Sequence, residues 1–138
     1  MANPGPSTTV TANAQPLNSN QALRVLAVVK GVNVNATGDT LLPIICSTTF
    51  SVSNVIFTNA SVSLTAASAG VFTLPAGAGT AIVASAAMAA CTSSAVVSQR
   101  TVASTNAITA ALNLYLNVGT AQGAAATVDV YVYGYDIS

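Results

Sequence analysis

From Leu112 to the end, the chain alternates. Leu112, Leu114, Leu116 and Val118 take every second position, with Asn113, Tyr115 and Asn117 between them. After the small-residue stretch Gly119 to Ala125, the pattern returns. Val128, Val130 and Val132 alternate with Asp129, Tyr131, Tyr133 and Tyr135. A period of two sends successive side chains to opposite faces of a strand, so each run has one apolar face. Two such runs joined by a short turn predict a β-hairpin.

The rest of the chain reads largely as strand. Leu23 to Val34 is apolar on both faces, as a long, well-covered strand would be. Asn35 to Thr40 (NATGDT) is turn chemistry. Leu41 to Cys46 resumes a strand, and Pro43 within it argues for a sheet edge or a bulge. Thr49 to Thr58 changes its apolar phase around Asn54, the signature of a bulge. Ser61 to Thr65 and Val71 to Leu74 are predicted as short strands, with Ala66 to Gly70 as the connection. Thr80 to Ala90 (TAIVASAAMAA) is the one helix candidate: it is rich in alanine, and Thr80 is placed to cap it.

Residues 1–20 differ in kind. They carry Pro4, Pro6 and Pro16 among Ser, Thr, Asn and Gln, and their sizeable apolar residues are Val10 and Leu17. Such a segment predicts an extended arm, either a free tail or one that orders on a neighbouring subunit. The predicted organisation is therefore this arm followed by one domain over residues 21–138. About seven or eight strands, closely spaced turns and at most one short helix make the expected fold mainly β. It is an antiparallel, jelly-roll-like β-sandwich, with a full jelly roll and a simpler sandwich both open.

Charge bounds the function. The chain has 138 residues, three cations and three anions, and no net charge. Charged residues are 4% of the total, where an ordinary domain has roughly 25%. A folded monomer of this mass exposes on the order of 6,600 Å², so about 1,100 Å² falls to each charge. A polar but weakly repulsive surface favours association. Arg24, Lys30 and Arg100 form no basic cluster, which disfavours nucleic acid. Ala22 to Val29 and Ala81 to Cys91 fall short of the roughly 20 apolar residues of a membrane span. The first residues lack the basic start and apolar middle of a secretion signal, so assembly in a cytoplasm is expected. In that compartment Cys46 and Cys91 are expected more often as two buried thiols than as a disulfide.

Catalytic chemistry finds few of the residues it needs. The chain has no histidine and no glutamate, so it lacks a Ser-His-Asp or Cys-His arrangement. Asp129 and Asp136 are seven apart and fall on opposite faces of a regular strand. Two cysteines and three aspartates without close spacing make a poor zinc site, and Gly38-Asp39 offers calcium one carboxylate. Ala76 to Thr80 (AGAGT) lacks the lysine and spacing of a phosphate loop. The expectation is a non-enzyme with no cofactor and no metal. The residues singled out for contacts are Pro4, Pro6, Val10, Pro16 and Leu17 in the arm, with Tyr131, Tyr133 and Tyr135 on the last strand. The tyrosine row reads first as cross-strand packing and second as a contact surface.

Two stretches carry a resemblance. FSVSNVIFTNASVSLTAASAGVFTLPAGAGTAIVAS (Phe50 to Ser85) and LYLNVGTAQGAAATVDVYVYGYDI (Leu114 to Ile137) resemble small virion proteins of tailed bacteriophages. Those include capsid cement, or decoration, proteins with jelly-roll or related β-sandwich folds. The resemblance implies a subunit on the outside of an icosahedral capsid, present in many copies and bridging major capsid proteins. The implied partners are the chain itself, as a dimer or trimer, and the major capsid protein. The implied location is the virion surface. A tail, fibre or host-binding component and a small-ligand-binding sandwich are the alternatives. No functional residue transfers individually, because the shared pattern marks strands and turns.

Overall fold

The computed structural model describes residues 23–45, 48–103 and 107–137. The arm residues Pro4, Pro6, Val10, Pro16 and Leu17, and also Cys46, lie outside them.

Nine strands run through the described residues: β1 (Arg24–Asn33), β2 (Gly38–Pro43), β3 (Thr49–Thr58), β4 (Ser68–Phe72), β5 (Ala81–Ala87), β6 (Val97–Arg100), β7 (Thr109–Ala110), β8 (Asn113–Thr120) and β9 (Thr127–Asp136). They form two antiparallel sheets packed as a β-sandwich. One sheet has the order β1-β9-β3-β6, with β7 also paired to β3; the other has the order β2-β8-β4-β5. The chain changes sheet at nearly every connection, staying in one sheet only from β4 to β5 and from β6 to β7. Alternate residues of both sheets fill the space between them. Phe50, Phe57, Leu114, Leu116, Val128, Val130 and Val132 are all buried there.

The last two strands overturn the expected hairpin. Both form where the alternation places them, but β8 pairs with β2 and β4, whereas β9 pairs with β1 and β3. Alternation shows that a strand has one buried face. It does not tell whether two such strands lie side by side or face each other across a core. Here residues 121–126 arch from one sheet to the other. The arch is tied down by Val34 N–H to Ala126 O at 3.0 Å and by Gln122 N–H to Val34 O at 2.9 Å. The Gln122 side chain locks it further. Its Oε1 accepts the N–H groups of Ala66 and Ala67, both at 3.1 Å, and its Nε2 donates to Ser63 O at 3.1 Å.

The predicted helix over Thr80 to Ala90 is also corrected: Ala81–Ala87 is strand β5, antiparallel to β4. Its β-branched residues Ile82 and Val83 are buried. The advantage of alanine in a helix is only about 0.7 kcal/mol per residue at most, and pairing with β4 outweighs it. Thr80 caps nothing; its N–H donates to Thr73 Oγ1 at 2.9 Å, and its carbonyl accepts Thr73 N–H at 3.1 Å. That closes the β4–β5 turn, where Gly77 and Gly79 take the positive φ angles that favour glycine.

Smaller departures have similar causes. Ser61 to Thr65 is a loop, held by Ser61 N–H to Thr127 O and Leu64 N–H to Cys91 O. Strand β4 starts earlier than predicted, at Ser68. Strand β2 starts at Gly38, within the predicted turn Asn35 to Thr40, and ends at Pro43, short of the predicted end, because its pairing with β8 runs over those residues. Two expectations hold. Pro43 ends β2, an edge strand, and β3 shifts register between Val52 and Asn54. Strand β1 has two further shifts, between Val25 and Ala27 and between Val29 and Val32. The first lets Leu26 and Ala27 both turn inward, and Leu26 then covers Gly134. A side chain at Gly134 would run into the Ser51 carbonyl and Leu26 Cδ1, so this point of β9 admits only a hydrogen.

Candidate interaction surfaces

The charged residues are nearly all engaged within the fold. Arg24 pairs with the buried Asp136 at 3.5 Å. Asp129 lies on the outer face of its sheet yet is buried, because a bulge and a loop close over it. It accepts Gly31 N–H at 2.7 Å and Asn59 Nδ2 at 3.1 Å. Gly31 sits in the second register shift of β1 with φ 65°, and Asp129 satisfies the N–H which that shift frees from the ladder. Asp39 tethers the β4–β5 turn, accepting Ala76 N–H at 2.7 Å and Asn117 Nδ2 at 2.9 Å. Arg100 donates to the carbonyls of Ala87 at 2.8 Å and Ala86 at 3.2 Å, with its guanidinium 5.4 Å from the Phe57 ring centre. Lys30 stands exposed.

Nucleophile and metal chemistry have little to build on at these positions. Among the described residues, no three His, Cys, Asp or Glu side chains are grouped to hold a metal ion. Cys91 is a free, buried thiol. Burial pushes its pKa up, against the opposing effects of a Ser98 hydrogen bond and the Arg100 charge, so the thiol form is favoured. No helix among the described residues is long and apolar enough to cross a membrane.

The tyrosine row lies on the outer face of the β1-β9-β3-β6 sheet. Tyr131 and Tyr133 stack, with ring centres 6.4 Å apart and planes 14° apart. Val28 and Ile56 flank Tyr131 across the ladder, and Val25 and Asn54 flank Tyr133. Asn54 in turn accepts Gln99 Nε2 at 2.8 Å. These neighbours leave Tyr131 and Tyr133 half-buried, while Tyr135, beside Ser51, is exposed. The row is thus packed within its sheet and also presents an uncharged surface.

A second surface went unseen in the sequence. Residues 44–45, 48, 73–80, 101–103 and 107–112, the start of β1 and the end of β9 all meet at one end of the sandwich. Leu23, Ile45, Leu74, Ile108, Leu112 and Ile137 stand there between 47% and 68% exposed. Backbone hydrogen bonds bring these segments together: Ile44 N–H to Leu112 O, Ile45 N–H to Leu26 O, Ala111 N–H to Thr48 O and Ile137 N–H to Thr49 O. Leu74 and Leu112 line one cavity of about 440 Å³ with Tyr115. The alternation assigned Leu112 to the buried face of β8, but β8 begins only at Asn113. The others are isolated aliphatic residues among Ser, Thr, Ala and Asn, and only the fold collects them.

A shallow groove of about 380 Å³ lies between the edge strands β5 and β6. Arg100 reaches across it to β5, and Ala103 N–H donates to Ile82 O at 2.8 Å. Both contacts occupy edge carbonyls of β5 that would otherwise be open to another strand. No family model, curated protein or solved structure matches this chain.

Proposed function

We propose that the chain is a virion structural protein that binds the outside of an icosahedral phage capsid and cements its major capsid subunits. One observation carries the reading: every charged residue but the exposed Lys30 is engaged by partners within the fold, so the surfaces left outside carry little free charge and are largely polar, aromatic or aliphatic. A surface of that kind is poorly suited to keeping copies apart and well suited to a crowded lattice. The resemblance of Phe50 to Ser85 and Leu114 to Ile137 to small phage virion proteins supplies the kind of assembly. We read the strand order, β1-β9-β3-β6 facing β2-β8-β4-β5, as that of a jelly roll, the architecture such capsid proteins use. In this reading the partners are further copies of the chain and the major capsid protein, at the virion surface.

The test is to add the purified chain to capsids stripped of accessory proteins and to follow their rupture on heating. Binding that saturates and raises the rupture temperature is expected. Absence of protection at saturating protein rejects cementing. Density confined to the tail in a reconstruction of the native particle would move the chain to another virion role.

A further inference from the structure

We infer that the aliphatic end of the sandwich, built by Leu23, Ile45, Leu74, Ile108, Leu112 and Ile137, is where a second copy of this chain docks. The inference deepens the assembly reading by naming a surface; it needs copies to associate but does not need a capsid.

The argument begins with area. These side chains are half to two-thirds bare, and together offer on the order of 600 Å², the upper end of what a monomer leaves in one apolar patch. A standard interface takes about 800 Å² from each partner, so this end with its rim is large enough to be one. The patch is also built rather than incidental. Its segments are bonded to one another through Ile44 and Leu112, Ile45 and Leu26, and Ile137 and Thr49. The opposite end differs. The connections there are tied by Gln122 and Val34, and their large exposed hydrophobic residue is Val62, with Val97 nearby on β6.

Charge then selects the occupant. A surface that meets its own copy must be self-complementary, and a patch of one charge sign cannot be. Of the ions near this end, Arg24 and Asp136 pair with each other, and Asp39 is held by Ala76 N–H and Asn117 Nδ2, so no free charge of one sign dominates it. The arm predicted over residues 1–20 has Val10 and Leu17 as its sizeable apolar residues, too few to match six aliphatic side chains. A second copy brings an equal patch.

The experiment is sedimentation equilibrium on the full chain, with Ile108→Asp/Leu112→Asp as the disrupting variant and Val97→Asp as the control. Circular dichroism and thermal unfolding check that each variant is folded; if the double variant does not fold, Ile45→Asp replaces it. The wild type and Val97→Asp are expected to self-associate. The double variant is expected to be at least ~100-fold weaker, because two charges would be buried without partners. The inference is overturned by a wild type that stays monomeric at several hundred micromolar, by a folded double variant that associates like the wild type, or by Val97→Asp being equally disruptive. A chain lacking residues 2–20 that associates more tightly than the full chain would also overturn it, since the arm would then cover its own end. Capsid protection is measured in parallel. A monomer that still protects capsids sinks this inference and leaves the cement reading standing; self-association through this end without protection does the reverse.

Discussion

Gly134 shows how little room single positions have. It lies between β1 and β3, beside a register shift in each, with the Ser51 carbonyl and Leu26 where a β-carbon would have to stand. Gly134→Ala should cost about 3 kcal/mol, because backbone rather than a flexible side chain must give way. For a domain of this size that lowers Tm by roughly 10 °C, which a thermal melt will show. Cys91 constrains the molecule through its proton. Burial raises its folded pKa above the ordinary 9.0, so below that pH both the folded and unfolded chains keep the thiol and stability is unaffected. Above it the unfolded chain loses the proton first, and stability falls as pH rises towards the folded pKa. Denaturant melts across the alkaline range should show that decline, and Cys91→Ala should reduce it.

At the scale of elements, the sequence was legible wherever period and burial coincide. The alternation at Leu114, Leu116, Val128, Val130 and Val132 located two central strands and their inner faces. The phase change at Asn54 located a bulge, and Pro43 an edge. What failed were choices made by partners far along the chain. Adjacency in sequence predicts that β8 and β9 pair, yet β1, β3, β2 and β4 hold them apart. The alanines of β5 predict a helix because they are silent about the strand beside them. The aliphatic end was invisible for the same reason, since its residues come from five separate segments, whereas the tyrosine row was visible because one strand carries it. Arg100 tests how β5 is protected. Arg100→Ala removes the donors on Ala86 and Ala87 and the contact with Phe57, and should cost about 2 kcal/mol. Faster amide exchange along β5 and more light scattering at high concentration are expected, because an edge carbonyl left open invites another strand.

The whole molecule is a sandwich in which five of the six charged side chains are held by partners within the fold, and Lys30 alone stands free in solvent. Its interactions with other copies should therefore be apolar, and insensitive to screening. Charged interfaces weaken as the Debye length shrinks from about 10 Å at 0.1 M salt towards 3 Å at 1 M. Here the association constant should hold steady or rise with sodium chloride over that range, which sedimentation at several salt concentrations will measure. A sharp fall would point to an interface built on Lys30 or on opened ion pairs. The same design sets how the molecule meets pH. With no histidine and no glutamate, the chain has few side chains that titrate between pH 5 and 8, so its surface is nearly constant there.

The position of the last two strands also imposes a timetable. β9 occupies a slot between β1 and β3, and β8 a slot between β2 and β4, so each sheet has a gap at its centre until these two strands are made. At a synthesis rate of about 5–20 residues per second, strands β1 to β4 wait for seconds with the ladders that face β8 and β9 unpaired. The chain cannot fold from its beginning as it emerges. It must hold an incomplete pair of sheets and then close both almost at once, when β8 and β9 have been made.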